Sequence, residues 1–376
     1  MSKWPMVRLG DITTVVAGST PSTFIDEYWN GPNCWVTPAE LSDDVIVVYD
    51  TERKITDLAV EKTGLKPMPA GTVLLSSRAP IGKVSIAGCV MYCNQGFKNL
   101  ICGERVFNKY LFWFLKCRKE YLISLGRGAT FKEISKTIVE DINIPLPPLK
   151  AQRQIAKVLD KTQEIIGGHK RQLEELDNFV KATFHDMFGD PLAKSGNPVK
   201  VPLSEIVDII MGQSPPGDSY NREGLGSPLL NGPTEFGDLY PKEVQWTKSP
   251  TKLCVEGDIL FCVRGATAGR MNLADKEYCI GRGLAAIRTK NKVSRDFIYV
   301  FLQAMYGHFQ STSDGSTFIN ISRERLESSP IINPTKEELL IFSQFVTNIG
   351  HQKSLVKQSL ADSQNLFNSL MSRYFD

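Results

Sequence analysis

No run of about 18 consecutive apolar residues occurs in the chain, so no membrane-spanning helix is expected. The opening MSKWPMVRLGD lacks an apolar segment, so no secretion signal is expected and the cytoplasm is the expected location. Histidine is scarce, with four in 376 residues, and the eight cysteines show no Cys-x-x-Cys spacing. The tightest group, Cys89, Cys93 and Cys102, has no neighbouring histidine, so packed, reduced thiols are expected rather than zinc or disulfides. The formal net charge is only +3, which excludes a histone-like tail protein but leaves room for a local basic face. Catalytic signatures are missing as well. There is no GxxxxGK[ST] phosphate loop, no GxSxG elbow, no HExxH, and no deaminase-type HxE with PCxxC. The Pro-Pro pairs, in LPPL (146–149) and SPPG (214–217), do not fit the Asn/Asp-Pro-Pro-aromatic tetrapeptide of amino-methyltransferases. Glu140-Asp141 leads into an apolar strand without the acid-acid-Lys pattern of a restriction nuclease.

What is present is a duplication. GATFKEISK at Gly128–Lys136 returns as GSTFINISR at Gly315–Arg323, an offset of 187 positions. The offset carries NKYLFWFL (Asn108–Leu115) onto RDFIYVFL (Arg295–Leu302) and NQGFKNLI (Asn94–Ile101) onto GRGLAAIR (Gly281–Arg288). With small drifts, GTVLLSSRAPIGKVSIA (Gly71–Ala87) matches GDILFCVRGATAGRMNLA (Gly257–Ala274). VRLGDITTVVAGSTPS (Val7–Ser22) matches VPLSEIVDIIMGQSPP (Val201–Pro216). A period this long is a duplicated domain rather than a solenoid repeat. At 376 residues, with 42% apolar and 23% charged residues, the chain can bury two or three real cores.

Each copy reads in the same order. The β-branched segments VIVVYD, TVLLSS, KVSIAG, DILFCV and CIGRGLAAIR predict strands. An amphipathic helix follows, Asn108–Leu125 in the first copy and Arg295–Phe309 in the second. Then come the repeated motif, a Pro-punctuated strand and a long segment poor in Gly and Pro. In the motif, Phe131/Ile134 and Phe318/Ile321 are expected in the core, and Thr130/Thr317 in a turn.

The long segments carry heptads. From Leu149 to Phe188 one seam runs Leu159, Ile166, Leu173, Val180, Met187 and the other Ile155, Thr162, His169, Leu176, Thr183. From Glu337 to Tyr374 the seams are Val346, Lys353, Leu360, Phe367, Tyr374 and Phe342, Ile349, Val356, Ser363, Leu370. Helices of this size span about 60 Å, and their weak polar seam positions favour pairing with each other. A short loop (Gly189–Val199) leads into the second copy, which fits an antiparallel, pseudo-twofold arrangement. Gly167-Gly168 marks either a close backbone approach or a kink.

In order, WPMVRLGDI, the GSTPS turn, WVTPAELS (Trp35–Ser42), LSSRAPIGKVSI (Leu75–Ile86), NQGFKNL, GATFKEIS and IPLPPLKAQRQIAKVLD (Ile144–Asp160) resemble the DNA-specificity subunit of type I restriction–modification systems. The resemblance covers essentially the whole chain. Asn333–Glu338 departs from it where PPLKAQ is expected. It implies an α+β protein: two tandem, similar α/β target recognition domains joined by two long antiparallel helices that form a coiled coil in a pseudo-twofold, circular arrangement. The expected divisions are recognition domain 1 at 1–147, a first ruler helix at 148–190, recognition domain 2 at 191–334 and a second ruler helix at 335–376. Each domain would read one half of an asymmetric, split site on double-stranded DNA, and the paired helices would set the gap and dock two modification (methyltransferase) subunits. Those subunits would carry S-adenosylmethionine, and restriction subunits acting as translocase and nuclease would bring ATP and Mg. This chain would hold no cofactor or metal and perform no catalysis. The competing readings are a non-catalytic coiled-coil scaffold and a degenerate DNA methyltransferase or nuclease.

Duplex DNA is contacted by Lys, Arg, Ser, Thr and backbone N–H at phosphates, and by Arg, Lys, Asn and Gln at base edges. The candidates in the first copy are Ser19, Thr20, Arg78, Lys83, Lys98, Arg127 and Lys132. Those in the second are Gln213, Ser214, Asn221, Arg222, Arg264, Arg270 and Arg282. Arg78 and Arg264 recur after a strand that reads as buried, so an architectural role weighs equally for them. The copies differ in loops, Thr23–Pro32 against Gly217–Ser227 and the surroundings of Lys83 against Arg270, and there the two specificities would be written.

Overall fold

A computed structural model describes residues 4–42, 45–128, 132–191, 200–290, 294–311 and 319–375. It divides into two compact units, Met1–His169 with Ser359–Asp376, and Lys170–Gln358. Thr130, Phe131, Thr317 and Phe318 of the repeated motif lie outside the described residues, as does most of the 189–199 connection.

The first unit holds a five-stranded sheet in the order Thr13–Val16, Asn99–Cys102, Val73–Leu75, Val84–Ala87, Val47–Val48, antiparallel except at its last pair. A second sheet orders Lys54–Ile55, Trp29–Val36 and Tyr92–Cys93, the latter two parallel with Trp35 opposite Tyr92. In the second unit the sheet order Val207–Met211, Leu284–Thr289, Ile259–Cys262, Met271–Leu273 repeats four of the five strands. Its other sheet again contains a parallel pair, Leu229 opposite Cys279. In each unit an antiparallel pair joins the start of the copy to the strand before the long helix, with Val7 opposite Ile144 and Val201 opposite Ile331.

Two expectations change. CIGRGLAAIR is two strands, Tyr278–Ile280 and Leu284–Thr289, in different sheets. The turn is forced at Gly281–Gly283, where a Cβ on either glycine would stand 2.4 Å from Asn231 atoms. Each amphipathic helix is two helices, Asn108–Cys117 with Lys119–Ser124, and Arg295–Ala304 with Tyr306–Ser311. The first member is deeply buried, with Tyr110 to Leu115 at most 1% exposed. The second lies at the surface and is pinned by one buried residue, Leu122 or Phe309. The apolar stripe continues across the break, so spacing does not reveal it.

The long helices run Leu149–Phe188 and Lys336–Phe375, and each contributes one part to each unit. In the second unit Asp177 pairs with Lys353, Phe179 meets Phe345 at 5.1 Å between ring centroids, and Phe184 meets Phe342 at 5.7 Å. Numbers fall on one helix as they rise on the other, so the pair is antiparallel. In the first unit the later helix returns Phe367 onto Trp113 and Phe375 onto Tyr110. The Trp113 indole N–H donates to Asp160 Oδ1 at 2.8 Å, and Lys109 donates to Oδ2 at 2.6 Å.

The seam residues divide by depth. Ile155, Leu159, Ile166, Phe342, Ile349, Val356 and Phe367 are buried; Leu173, Leu176, Val180, Val346 and Leu360 are half-buried. Phe184 and Phe188, off both seams, are buried against Phe297, because this helix also covers the globular core. Helical geometry continues through Gly167-Gly168, and a Cβ at Gly168 would meet nothing within 4 Å. The close-approach reading therefore does not apply to Gly168.

Candidate nucleic-acid interface

Each unit presents two facing turns. In the first, Gly18 lies so close to the opposite strand that a Cβ would stand 1.9 Å from Cys93 O. In the second, a Cβ on Gly212 would stand 2.2 Å from Gly281 O. Glycine at both places lets the GSTPS and GQSPP turns touch NQGF and GRGL. The contact brings functional side chains together. Thr20 donates its hydroxyl proton to Gln95 Oε1 in the first unit. In the second, the Arg282 backbone N–H donates to Ser214 Oγ at 3.3 Å, and Gln213 N–H donates to Ile280 O at 2.9 Å. Thr20, Gln95, Gln213 and Arg282 are exposed; Ser19 and Ser214 are half-buried. Lys83 joins the first group, half-buried, with its ammonium donating to Pro38 O at 2.9 Å.

The repeated motif forms a second cluster. Glu133 exchanges two backbone hydrogen bonds with Arg127, and Ile134 N–H donates to Ser77 O at 2.9 Å. In the second unit Ile321 N–H donates to Val263 O at 2.8 Å, the counterpart of the Ile134 bond, and Gly265 N–H donates to Ile319 O at 2.9 Å. Arg78 and Arg264 form backbone bridges to Glu133 and Asn320. The positions that differ between copies, Lys132-Glu133 and Ile319-Asn320, are thus the ones placed against these arginines. Ile134 and Ile321 are fully buried.

One candidate is placed differently from the sequence expectation. Lys98 is only 9% exposed, with its ammonium 2.9 Å from Glu133 Oε1 and 3.4 Å from Ser77 Oγ. It ties the motif to the sheet instead of facing solvent, because Glu133 supplies the countercharge a buried ammonium needs. Arg127, Lys132, Arg264 and Arg270 are exposed, and Arg78 is half-buried. In the second unit's loop Asn221 is half-buried and spends its amide locally, donating to Leu225 O at 2.8 Å and accepting from Leu225 N–H at 3.0 Å. The neighbouring Arg222 is exposed.

Gln95 and Arg53 were not selectable from sequence. Gln95 gains meaning only from its contact with Thr20. Arg53 places its guanidinium 3.9 Å from the Trp29 ring centroid and 5.1 Å from that of Trp35.

Among the described residues no group of three or more His, Cys, Asp and Glu could hold a metal ion. Burial pushes the thiols of Cys93, Cys102 and Cys254 up to about 12. A cleft of about 420 Å³ in the first unit is lined by Gly82, Val84, Lys116, Lys119, Met371 and the seam residue Phe367, none of them a DNA-contact candidate. No helix is long and apolar enough to cross a membrane, among the described residues.

Comparison with known proteins fits the duplicated architecture. The family model for the type I restriction modification DNA specificity domain matches residues 1–178 and again 197–361. The type I restriction enzyme MjaIX specificity subunit of Methanocaldococcus jannaschii is 30% identical over 371 residues, covering 91% of this chain and 86% of its own. The EcoR124I/EcoR124II specificity subunit of Escherichia coli is 28% identical over 177 residues, 44% of this chain and 43% of its own. Among solved structures, a chain from a study of assembly and conformational transition in a type I restriction–modification system shares the fold. It has a TM-score of 0.68 at 24% identity and covers 99% of this chain and 97% of that one. A type I restriction–modification system S subunit from M. genitalium gives a TM-score of 0.60 at 15% identity, covering 100% of this chain and 96% of that one. The chain belongs to the type I restriction–modification DNA specificity family.

Proposed function

We propose that each unit reads one half of an asymmetric, bipartite sequence on duplex DNA. The carrying observation is that both units build the same pair of facing turns but mount different side chains on it, Thr20 with Gln95 in one and Ser214 with Arg282 in the other. Equal scaffolds with unequal polar tips suit two unrelated half-sites, whereas a homodimer reads a palindrome. The exposed cations Arg127, Lys132, Arg264 and Arg270 supply phosphate contacts, and Gln213, Arg222 and Arg282 supply donors for base edges. The chain performs no chemistry itself. Its long helices set the spacer and dock two modification subunits, which bring S-adenosylmethionine and methylate adenine; restriction subunits join that core with ATP and Mg.

The test is co-expression with a matching modification subunit, followed by mapping of methylated adenines. A motif of two unrelated halves separated by a fixed gap is expected. A continuous motif, or none, rejects the reading. Methyl transfer by the purified chain alone would favour the enzyme alternative. An unchanged motif after exchange of loop 217–227 would favour the scaffold.

A further inference from the structure

The two copies differ in length between the glycine of the first turn and the single helical turn that follows it. Gly18 and Gly212 are equivalent, each required by the same close approach. Downstream, the single turns Asp26–Tyr28 and Gly217–Ser219 are equivalent as well. Each is closed by a hydrogen bond of 3.1 Å, Tyr28 N–H to Ile25 O and Ser219 N–H to Pro216 O, and each leads directly into a strand. Seven steps separate Gly18 from Ile25, but four separate Gly212 from Pro216. The first unit therefore carries three extra residues between Pro21, which matches Pro215, and the Asp26–Tyr28 turn, and Phe24 is among them.

Phe24 is 96% exposed. A lone apolar residue at the surface needs no explanation, but this one stands on a clamped base. Trp35 donates its indole N–H to Ser19 O at 3.2 Å, and Trp29 donates to Ser22 O at 3.1 Å. The two rings meet edge to face at 5.1 Å, with the exposed Arg53 guanidinium over both. The backbone N–H groups of Phe24 and Ile25 both return to Ser22, each at 3.4 Å. The ring is thus presented to solvent from the same tryptophan pair that fixes Ser19.

The chemistry of the tip narrows what it touches. No Lys or Arg occurs from Ala17 to Tyr28, and Asp26 and Glu27 follow directly, so the tip repels phosphate. What an aromatic side chain offers a duplex is apolar contact with the bases, at a thymine methyl group or in an opened base step. The cation nearest this base, Arg53, lies over the Trp29 and Trp35 rings and not on the tip itself.

Resting on the DNA-reading role above, we propose that Phe24 is a specificity-determining residue that makes an apolar base contact within the half-site read by the first unit. The second unit lacks this three-residue extension and so has no counterpart of Phe24 at that place.

The test uses the full chain assembled with its modification subunits, as wild type, Phe24→Ala and Phe24→Tyr. Methylated sites are mapped, and binding to a duplex carrying the mapped site is measured. For Phe24→Ala the base preference should relax at one or two positions of one half only, with affinity reduced about tenfold, in the range of one lost base contact. Phe24→Tyr should retain most of both. Deoxyuridine in place of thymidine, or 2-aminopurine fluorescence, assigns the contact to a methyl group or an opened step. Unchanged halves, or equal loss at both, overturn the proposal. So does a weakened subunit assembly with an unchanged motif, which would mean that protein covers Phe24. A wild-type complex with no bipartite motif removes the underlying reading itself, an outcome separate from any behaviour of the variants.

Discussion

The amide of Gln152, with no exposed surface, closes three backbone groups at once. It accepts from Phe107 N–H at 2.7 Å and donates to Arg105 O at 3.0 Å and Pro147 O at 2.8 Å. This is the physical content of the Gln in IPLPPLKAQ, which sequence alone shows only as a pattern. Gln152→Leu should leave those groups without partners and lower stability by about 2–4 kcal/mol in urea denaturation, since each stranded group costs about 1–3 kcal/mol. A loss within error would mean that water replaces the amide. Thiols behave by the same rule of burial. With Cys93 and Cys254 pushed up to about 12, the thiolate is scarce at pH 8 and the residues are enclosed. Iodoacetamide at pH 8 should leave both unlabelled in the folded chain and label both in urea, read by peptide mass. The inward turn of Lys98 illustrates what residue patterns miss. A Lys near a Gly-rich turn reads as surface charge until its partner Glu133, 35 positions away, is placed beside it.

At the scale of elements, the heptads were legible because spacing alone specifies a seam, and none of the twelve singled-out seam residues is exposed. The helix breaks at Arg118 and Met305 were not, because the apolar stripe runs on through them. The departure of Asn333–Glu338 from the family pattern also has a local cause. Where the first helix begins with Gln152, the second begins with a capping box. Thr335 N–H donates to Glu338 Oε2 at 2.7 Å, and Glu338 N–H donates to Thr335 Oγ1 at 3.3 Å. The Thr335 backbone N–H, then its hydroxyl, hold the Glu338 carboxyl below its ordinary range. A lowered folded-state value stabilises the helix start above the ordinary carboxylate range, and that contribution is lost as pH falls through the lowered value. Protection of the Thr335 amide should therefore decline on acidification below about pH 4, the ordinary Glu range. Glu338→Gln, which keeps the acceptor, should flatten that dependence. In the middle of the first long helix, Gly168 has helical geometry and open space around its missing Cβ. Gly168→Ala should raise stability by up to about 1 kcal/mol, the helix propensity difference. A decrease on thermal unfolding would show that the flexibility of the glycine pair is itself required.

At the scale of the whole chain, the duplication was legible because an offset can be tested at every position, and the repeated strand orders and parallel pairs follow from it. Which loop tips carry specificity was not legible in full, because it depends on contacts between segments far apart in sequence, such as Thr20 with Gln95. The helices supply the last prediction. Each has 40 residues and takes part in both units, so a change of length in one alone would misalign the seam shared with the other. Adding one heptad to both, near Gly168 and near Ser359, keeps the seams in phase because the inserted length equals the repeat. Seven residues at 1.5 Å lengthen each helix by about 10 Å. That corresponds to about three base pairs at 3.4 Å each. The half-sites should keep their sequences, since no recognition loop is touched, while the gap in the methylated motif widens by about three base pairs. An unchanged gap would show that something other than the helices sets it. Altered half-sites would show that the loops are read together with the spacer, contrary to two independent readers on one frame.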